Sequence, residues 1–340
     1  MRYALGLLLL FLVGIAHAGD SGQQRAEAAG RSLVGTPAPA MVLKTIDGQT
    51  IDLAQLYGKK AVYLKFWATW CIPCREQMPH LERTYEEAGP DMAVIAIDVG
   101  FDDSVEEVRK YRRGVGLTMP IVFDDGTLGE AFRLRVTPQH VVIGRDGRVL
   151  YVGHEANARL DAALQAARTA SPLPPTSPIK TSTADPKPIG VGDTVPDVTV
   201  RTLTSKDFRL RDPRPTVLVF LSPWCESYLA KSRPQLSQSC RDVREQADAL
   251  ARSRADLRWL GVASGLWAAR DDLIDYQRTY RVGIPLTLDD SGQLFRSFRV
   301  MHVPTVLLVD AQGKVIRRIE GVQPELASQL PQVSLRTQSR

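Results

Sequence analysis

The chain repeats itself, and any fold proposed for it has to be one that half of its length can complete. Val34-Gly35-Thr36-Pro37-Ala38-Pro39 is answered by Val191-Gly192-Asp193-Thr194-Val195-Pro196. AVYLKFWATWC, ending at Cys71, is answered by TVLVFLSPWC, ending at Cys225. Val136-Thr137-Pro138 matches His302-Val303-Pro304, and IGRDGRVLYVG matches LVDAQGKVIRRIEG. The four landmarks keep their order at offsets of 157, 154, 166 and 166 positions, a drift no larger than loop insertions produce. A whole domain has been duplicated in tandem. Between the copies, residues 171–190 (SPLPPTSPIKTSTADPKPIG) carry six prolines and no apolar periodicity, the composition of an extended spacer that cannot repay its ordering entropy by burial.

Each copy alternates its periodicities in the same way. KAVYLKFW is a short β-rich run, and CREQMPHLERTYEEA has helical spacing with a proline inside. MAVIAIDVG reads as a buried strand, SVEEVRKYRRGVG as an amphipathic helix, and MPIVFDD as a further strand. HVVIGRDGRVLYVGH reads as two strands joined at Asp146-Gly147, and residues 157–169 close the block as a helix. The expected class is α/β, two tandem domains of one design, each a mixed central sheet flanked by helices. The division that follows is a signal peptide at 1–18, a flexible leader at 19–31, a first domain at 32–170, the Pro-rich linker at 171–190, a second domain at 191–331 and a tail at 332–340.

Arg2, the apolar run ALGLLLLFLVGIA and then Ala16-His17-Ala18 form a charged, an apolar and a small-x-small region, the pattern of a secretory signal. The run is short for a spanning helix, which needs about 20 apolar residues. Cleavage and a periplasmic location are therefore expected, an uncleaved membrane anchor being the alternative. A formal charge of +5, with arginines scattered rather than clustered, asks for no nucleic-acid partner.

The four cysteines, Cys71, Cys74, Cys225 and Cys240, are too few to staple 340 residues. Cys71 and Cys74 are two residues apart at the junction of a predicted strand and helix. A helix amino end offers unpaired N–H groups and partial positive charge, which favour a thiolate. Cys71 is therefore expected to be the attacking sulfur, and Cys74, one turn on, to resolve the mixed disulfide. Pro73 suits the first helical turn. Zinc needs four ligands. Only Cys225 and Cys240 remain, in the other copy, and the histidines at 17, 80, 140, 154 and 302 have no ligand spacing. No metal is expected, and no cofactor beyond a redox-active Cys71–Cys74 disulfide.

FWATWCIPC, with Val-Thr-Pro about sixty-five residues on, resembles the thioredoxin superfamily, in its exported TlpA/ResA-like branch. The resemblance covers residues 32–168 and implies a thiol-disulfide oxidoreductase, with Trp70 beside the dithiol. It implies a cis proline facing the dithiol at Pro138, with the backbone of Thr137 pairing with bound substrate; an ordinary trans turn proline is the plainer reading. It favours a reducing role toward protein clients bearing disulfides, such as apocytochrome c or copper-delivery proteins, and a membrane electron donor that regenerates the dithiol. Thioredoxins proper carry a buried acid where this chain has Lys65. The lysine either lies near the dithiol, holding thiolate charge or moving protons for Cys74, or reaches solvent as an edge residue. Gln77 replaces an acid common among relatives, a change expected to alter helix polarity more than chemistry.

In the second copy Tyr228 stands where the resolving cysteine would be. Along an unbroken helix, fifteen residues at about 1.5 Å each place Cys225 and Cys240 roughly 22 Å apart, so Cys240 is expected to be a small buried apolar residue. Three readings of Cys225, with Pro304 as its companion, stay open. It is a relic in an accessory or client-binding domain; it forms a mixed disulfide with a client or with Cys71; or it is a peroxidatic thiol. For the last, Ser222 fits part of a PxxxTxxC pattern, but Leu218 replaces the proline. The rival from another class is a scaffold in which the second copy recruits a partner and the dithiol is incidental.

Overall fold

The computed structural model describes residues 21–169, 179–180, 188–321 and 325–330. The signal-peptide segment, most of the Pro-rich linker and the 332–340 tail lie outside the described residues.

Two five-stranded mixed sheets of identical topology carry the two copies. Ahead of the first lie α1 (Gly22–Gly30), β1 (Pro39–Ala40), a small hairpin of β2 (Val42–Lys44) and β3 (Thr50–Asp52), and α2 (Leu53–Leu56). The central strand β4 (Ala61–Trp67) leads into α3 (Ile72–Glu76) and α4 (Met78–Glu86). Then come β5 (Met92–Asp98), α5 (Val105–Val115), β6 (Ile121–Phe123), α6 (Thr127–Ala131), β7 (Gln139–Ile143), β8 (Val149–Gly153) and α7 (Ala158–Thr169). Across the sheet the order is β6-β5-β4-β7-β8, with β4, β5 and β6 parallel and β7 and β8 antiparallel. All seven residues of β4 are buried, because helices cover both faces of the sheet. The apolar run KAVYLKFW is continuous rather than alternating for that reason.

Between the copies, β9 (Ile179–Lys180) pairs in parallel with β1. The second copy repeats the plan with β10 (Thr199–Arg201), β11 (Asp207–Arg209), β12 (Thr216–Leu221), α8 (Cys225–Tyr228) and α9 (Pro234–Ser253). It continues with β13 (Arg258–Ser264), α10 (Arg270–Tyr280), β14 (Leu286–Asp289), α11 (Gln293–Ser297), β15 (Thr305–Val309), β16 (Val315–Glu320) and α12 (Leu326–Gln329). Its sheet order is β14-β13-β12-β15-β16. One apolar core cluster runs through both copies, joining Trp70, Phe101 and Cys71 to Phe220, Phe295 and Cys225.

Two expectations change. Residues 19–31 read as a flexible leader, yet 22–30 form α1. Ser21 caps the helix in a reciprocal pair with Gln24, Ala26 is fully buried, and Gly30 abuts Val152 so closely that a Cβ would stand 2.5 Å from that side chain. So short a helix is marginal in water, and its docking on β8 supplies the stability its composition does not.

Cys240 is not a lone buried thiol. It is disulfide-bonded to Cys225, with the Cα atoms 6.3 Å apart. The expected separation assumed one straight helix. Instead α8 stops after a single turn, residues 229–233 reverse the chain, and Pro234 opens α9 in the first-turn position where its missing N–H costs nothing. Helix α9 then lies back over α8, and the Ser237 hydroxyl donates to the Glu226 carbonyl at 2.6 Å. The expectation that Cys225 has no partner within its own copy is corrected accordingly. Replacing both Cys225 and Cys240 by alanine should cost the second copy about 3 kcal/mol, the entropy of closing a loop of this length. Urea denaturation followed by circular dichroism checks this.

Candidate functional site

The dithiol is built at the end of β4. Cys71 has extended backbone and stands as N-cap of α3; its sulfur accepts the Cys74 N–H at 3.2 Å. Pro73 falls in the first turn of α3. Cys71 and Cys74 are disulfide-bonded, with Cα atoms 5.2 Å apart. The loop before β7 closes over this bond from the other side: the Thr137 carbonyl oxygen lies 3.3 Å from the Cys71 sulfur. The Thr137–Pro138 and Val303–Pro304 peptide bonds are cis. Trp70 anchors the turn by donating its indole N–H to the Phe101 carbonyl at 2.7 Å.

Beneath the disulfide lies a buried polar network. Lys65 is fully buried and is not an edge residue; its ammonium reaches the Cys74 carbonyl at 3.4 Å. Burial lowers its pKa to about 7, since the charged form loses water and gains no carboxylate partner. Opposite it in the β4–β7 register is His140. The imidazole is held well below its usual pKa, first by burial and then by the nearby Lys65 charge. Its Nδ1 lies 2.8 Å from the Tyr63 hydroxyl and its Nε2 2.9 Å from Gln77 Oε1, while the Gln77 amide nitrogen donates to the His154 carbonyl at 3.3 Å. A neutral ring with hydrogen on Nε2 satisfies all of these contacts at once. Gln77 therefore does more than change helix polarity, as it joins α3 to His140 and to the end of β8. His154 in turn contacts the Pro138 carbonyl through Nδ1 at 2.7 Å.

The second copy faces this site. Trp224 stacks on Trp70 with ring centroids 5.0 Å apart, and Tyr228 packs edge-on to both indoles. The Tyr228 hydroxyl accepts the Ile72 N–H, inside the Cys71–Cys74 turn, at 3.0 Å. Trp267 donates its indole N–H to the Thr137 hydroxyl at 3.2 Å. Arg233 bridges to the Thr69 hydroxyl at 2.9 Å, the Asp103 carboxylate at 2.8 Å and the Asp102 carbonyl. Of the residues singled out from sequence, Trp70, Cys71, Pro73, Cys74, Thr137, Pro138 and Lys65 come together. Cys225 is committed to Cys240, and Pro304 follows the loop that faces Asp102.

The AhpC/TSA family model matches residues 34–152. Thioredoxin-like protein YneN of Bacillus subtilis is 31% identical over 159 residues, which make up 45% of this chain and 90% of YneN. The thiol-disulfide oxidoreductase ResA of Halalkalibacterium halodurans is 35% identical over 127 residues, 36% of this chain and 71% of that protein. The chain belongs to the thioredoxin-like thiol-disulfide oxidoreductases. Among solved structures, the exposed lipoprotein thioredoxin Etrx1 of Streptococcus pneumoniae is 28% identical and covers 37% of this chain and 98% of its own, with a TM-score of 0.34.

In this oxidoreductase the residues that sequence reading missed are Tyr63, His140 and His154 below the dithiol, and Trp224, Tyr228, Arg233 and Trp267 above it. Strands buried on both faces hide Tyr63 and His140, because polar residues there break no alternation, and His154 lies in the loop after β8. Of the second group, Tyr228 ends the single-turn helix α8 and Trp224, Arg233 and Trp267 lie on loops of the other copy, where no periodicity operates.

Lys65→Met should raise stability and lower activity together. The folded-state pKa of Lys65 lies below its unfolded value, so the unfolded chain binds the extra proton between about pH 7 and 10.5, and wild-type stability rises with pH across that window. The variant's advantage should be largest at pH 7 and below, up to about 5 kcal/mol, and should shrink by pH 10. Urea midpoints at pH 6 and pH 9.5 read this. In disulfide exchange, the same variant should lose the rate increase that accompanies deprotonation of Lys65 near pH 7.

Proposed function

We propose that this oxidoreductase reduces disulfides in exported proteins through Cys71 and Cys74, with the second copy as an accessory domain. The observation that carries the reading is the Cys71–Cys74 disulfide set at a strand-to-helix junction against the Thr137 carbonyl. In the reduced protein the Cys71 thiolate, stabilised by the Cys74 N–H, attacks one sulfur of a client disulfide. A Cys71–client bond forms, and the other client sulfur leaves as a thiolate. Cys74 then gives its proton to the neutral Lys65 amine and attacks Cys71, which expels the second client thiolate. The client gains two electrons, and the enzyme holds them no longer, until a donor returns the Cys71–Cys74 bond to the dithiol. A membrane-borne carrier is the donor class proposed, and disulfide-bearing proteins such as apocytochrome c or copper-delivery proteins are the client class. No metal or organic cofactor enters the cycle.

An extracytoplasmic, periplasmic setting fits a chain whose four cysteines are all paired, since disulfides persist outside the reducing cytosol. It also fits the secretory pattern of residues 1–18. Among the described residues no helix is long and apolar enough to cross a membrane.

Insulin reduction with dithiothreitol as donor should fall to background in Cys71→Ser. Cys74→Ser should keep the first attack and lose release, accumulating client on Cys71 as a species that reductant removes from a non-reducing gel. Equal turnover by wild type and Cys71→Ser would instead favour the scaffold reading. A mature protein whose first residue is not Gly19 would count against cleavage after Ala18.

A further inference from the structure

The contact between the two copies is reciprocal at the level of single backbone bonds. Trp267 donates its N–H to the Arg135 carbonyl at 2.8 Å, and Asp102 donates its N–H to the Met301 carbonyl at 2.7 Å. Arg135 and Met301 are equivalent positions, each three residues before a cis proline. Asp102 and Trp267 are equivalent too, each in the loop after the strand that flanks the central one. Both have left-handed backbone, with φ of 52° and 57°, a conformation that costs a non-glycine residue on the order of 1–3 kcal/mol unless its surroundings hold it. Here the other copy holds it. Each copy thus fills the groove beside the other's cis-proline loop with its own strained loop.

The remaining contacts converge on the dithiol. Trp224 covers Trp70, the Tyr228 hydroxyl accepts the Ile72 N–H, and the Trp267 indole N–H donates to the Thr137 hydroxyl. Cys71 is left 1% exposed, although Ile72, the next residue, is 41% exposed. A protein disulfide cannot reach the Cys71 sulfur past this arrangement. Ion pairs close the rim: Arg135 with Asp290 at 2.8 Å, Arg233 with Asp103 at 2.8 Å, and Arg296 with Glu130. The Arg135–Asp290 and Arg296–Glu130 pairs are part-exposed, and rim contacts of this kind suit an interface that opens, whereas Asp103 is fully buried beneath Arg233.

We infer that the second copy is a resident cover for the client-binding face of the first, and that a protein client gains Cys71 only when the two copies separate. The inference rests on the proposed dithiol cycle and adds its gating. Tyr228, which stands at the position of the missing cysteine, serves the cover by bonding the turn that carries Cys71. Apparent client reactivity is then the intrinsic reactivity multiplied by the open fraction.

The test locks the interface chemically in the full chain. Glu130→Cys/Arg296→Cys places two thiols across the rim, and in the oxidised protein the native cysteines are all in disulfides. A short bismaleimide therefore joins only the introduced pair. The dithiol is then reduced with dithiothreitol, the reagent removed, and insulin reduction compared before and after crosslinking. Crosslinking should slow insulin reduction by about tenfold or more, while dithiothreitol still reduces Cys71–Cys74. In a second arm, Trp224→Ala/Tyr228→Ala should speed alkylation of Cys71 by iodoacetamide and insulin reduction alike, with circular dichroism confirming the fold. Unchanged insulin reduction after complete crosslinking would overturn the cover. So would slower insulin reduction in Cys225→Ser/Cys240→Ser, which would make the second disulfide an electron relay. If the variant reduces no insulin before crosslinking, it is the dithiol cycle that fails, and the two failures are told apart.

Discussion

Everything near the dithiol depends on how the two copies meet. The paired bonds from Trp267 to Arg135 and from Asp102 to Met301 fix the copies about a local two-fold relation, and the stacked indoles of Trp70 and Trp224 sit where the two cysteine junctions face each other. Because the indole of Trp70 is also tied to the Phe101 carbonyl and that of Trp224 to the Leu266 carbonyl, neither ring can slide without disturbing its own β–α loop. Those are the loops that carry Asp102 and Trp267. Aromatic packing and backbone pairing are therefore one coupled contact, set against the residues on either side of the Cys71 sulfur.

Below the sulfur atoms the governing constraint is desolvation. Lys65 has no carboxylate beside it, and His140 is kept neutral by burial and by Lys65 itself. A second charge there would raise the cost further. The network from Tyr63 through His140 and Gln77 to the His154 carbonyl is satisfied by neutral groups alone, and the lysine beneath the disulfide exchanges a proton near neutral pH. Gln77, as a neutral group, adds no second charge to this buried site beside Lys65.

The sheets, their order of elements and the position of the dithiol were legible because each rests on local pattern. β4 and β12 are continuous apolar runs, the hairpin carries Asp146-Gly147, and the duplication let each copy check the other. What was not legible depends on chain reversal or on distant surfaces. The turn between α8 and α9 has no glycine to announce it, so Cys225 and Cys240 read as points on one helix. Residues 22–30 have little amphipathic pattern, and only contact with β8 reveals why they are helical. Lys65 could be placed on β4 but not assigned a neighbour, since depth along a strand buried on both faces leaves no trace in its alternation.

The same strand-to-helix junction has thus been put to two uses by moving one cysteine. In the first copy the partner of Cys71 is three residues on, within one turn, and a bond between them can open and close with little motion of α3. In the second copy the partner of Cys225 is fifteen residues on, in α9, and opening that bond would free a helix that is otherwise held on α8 by Ser237 and by the pairing of Arg244 with the buried Glu226 carboxylate at 2.7 Å. A bond so placed braces α8. A braced α8 holds Tyr228 over Ile72 and Trp224 over Trp70, so the loss of the nearby cysteine and the gain of the distant pairing serve one end: a rigid surface opposite a working dithiol.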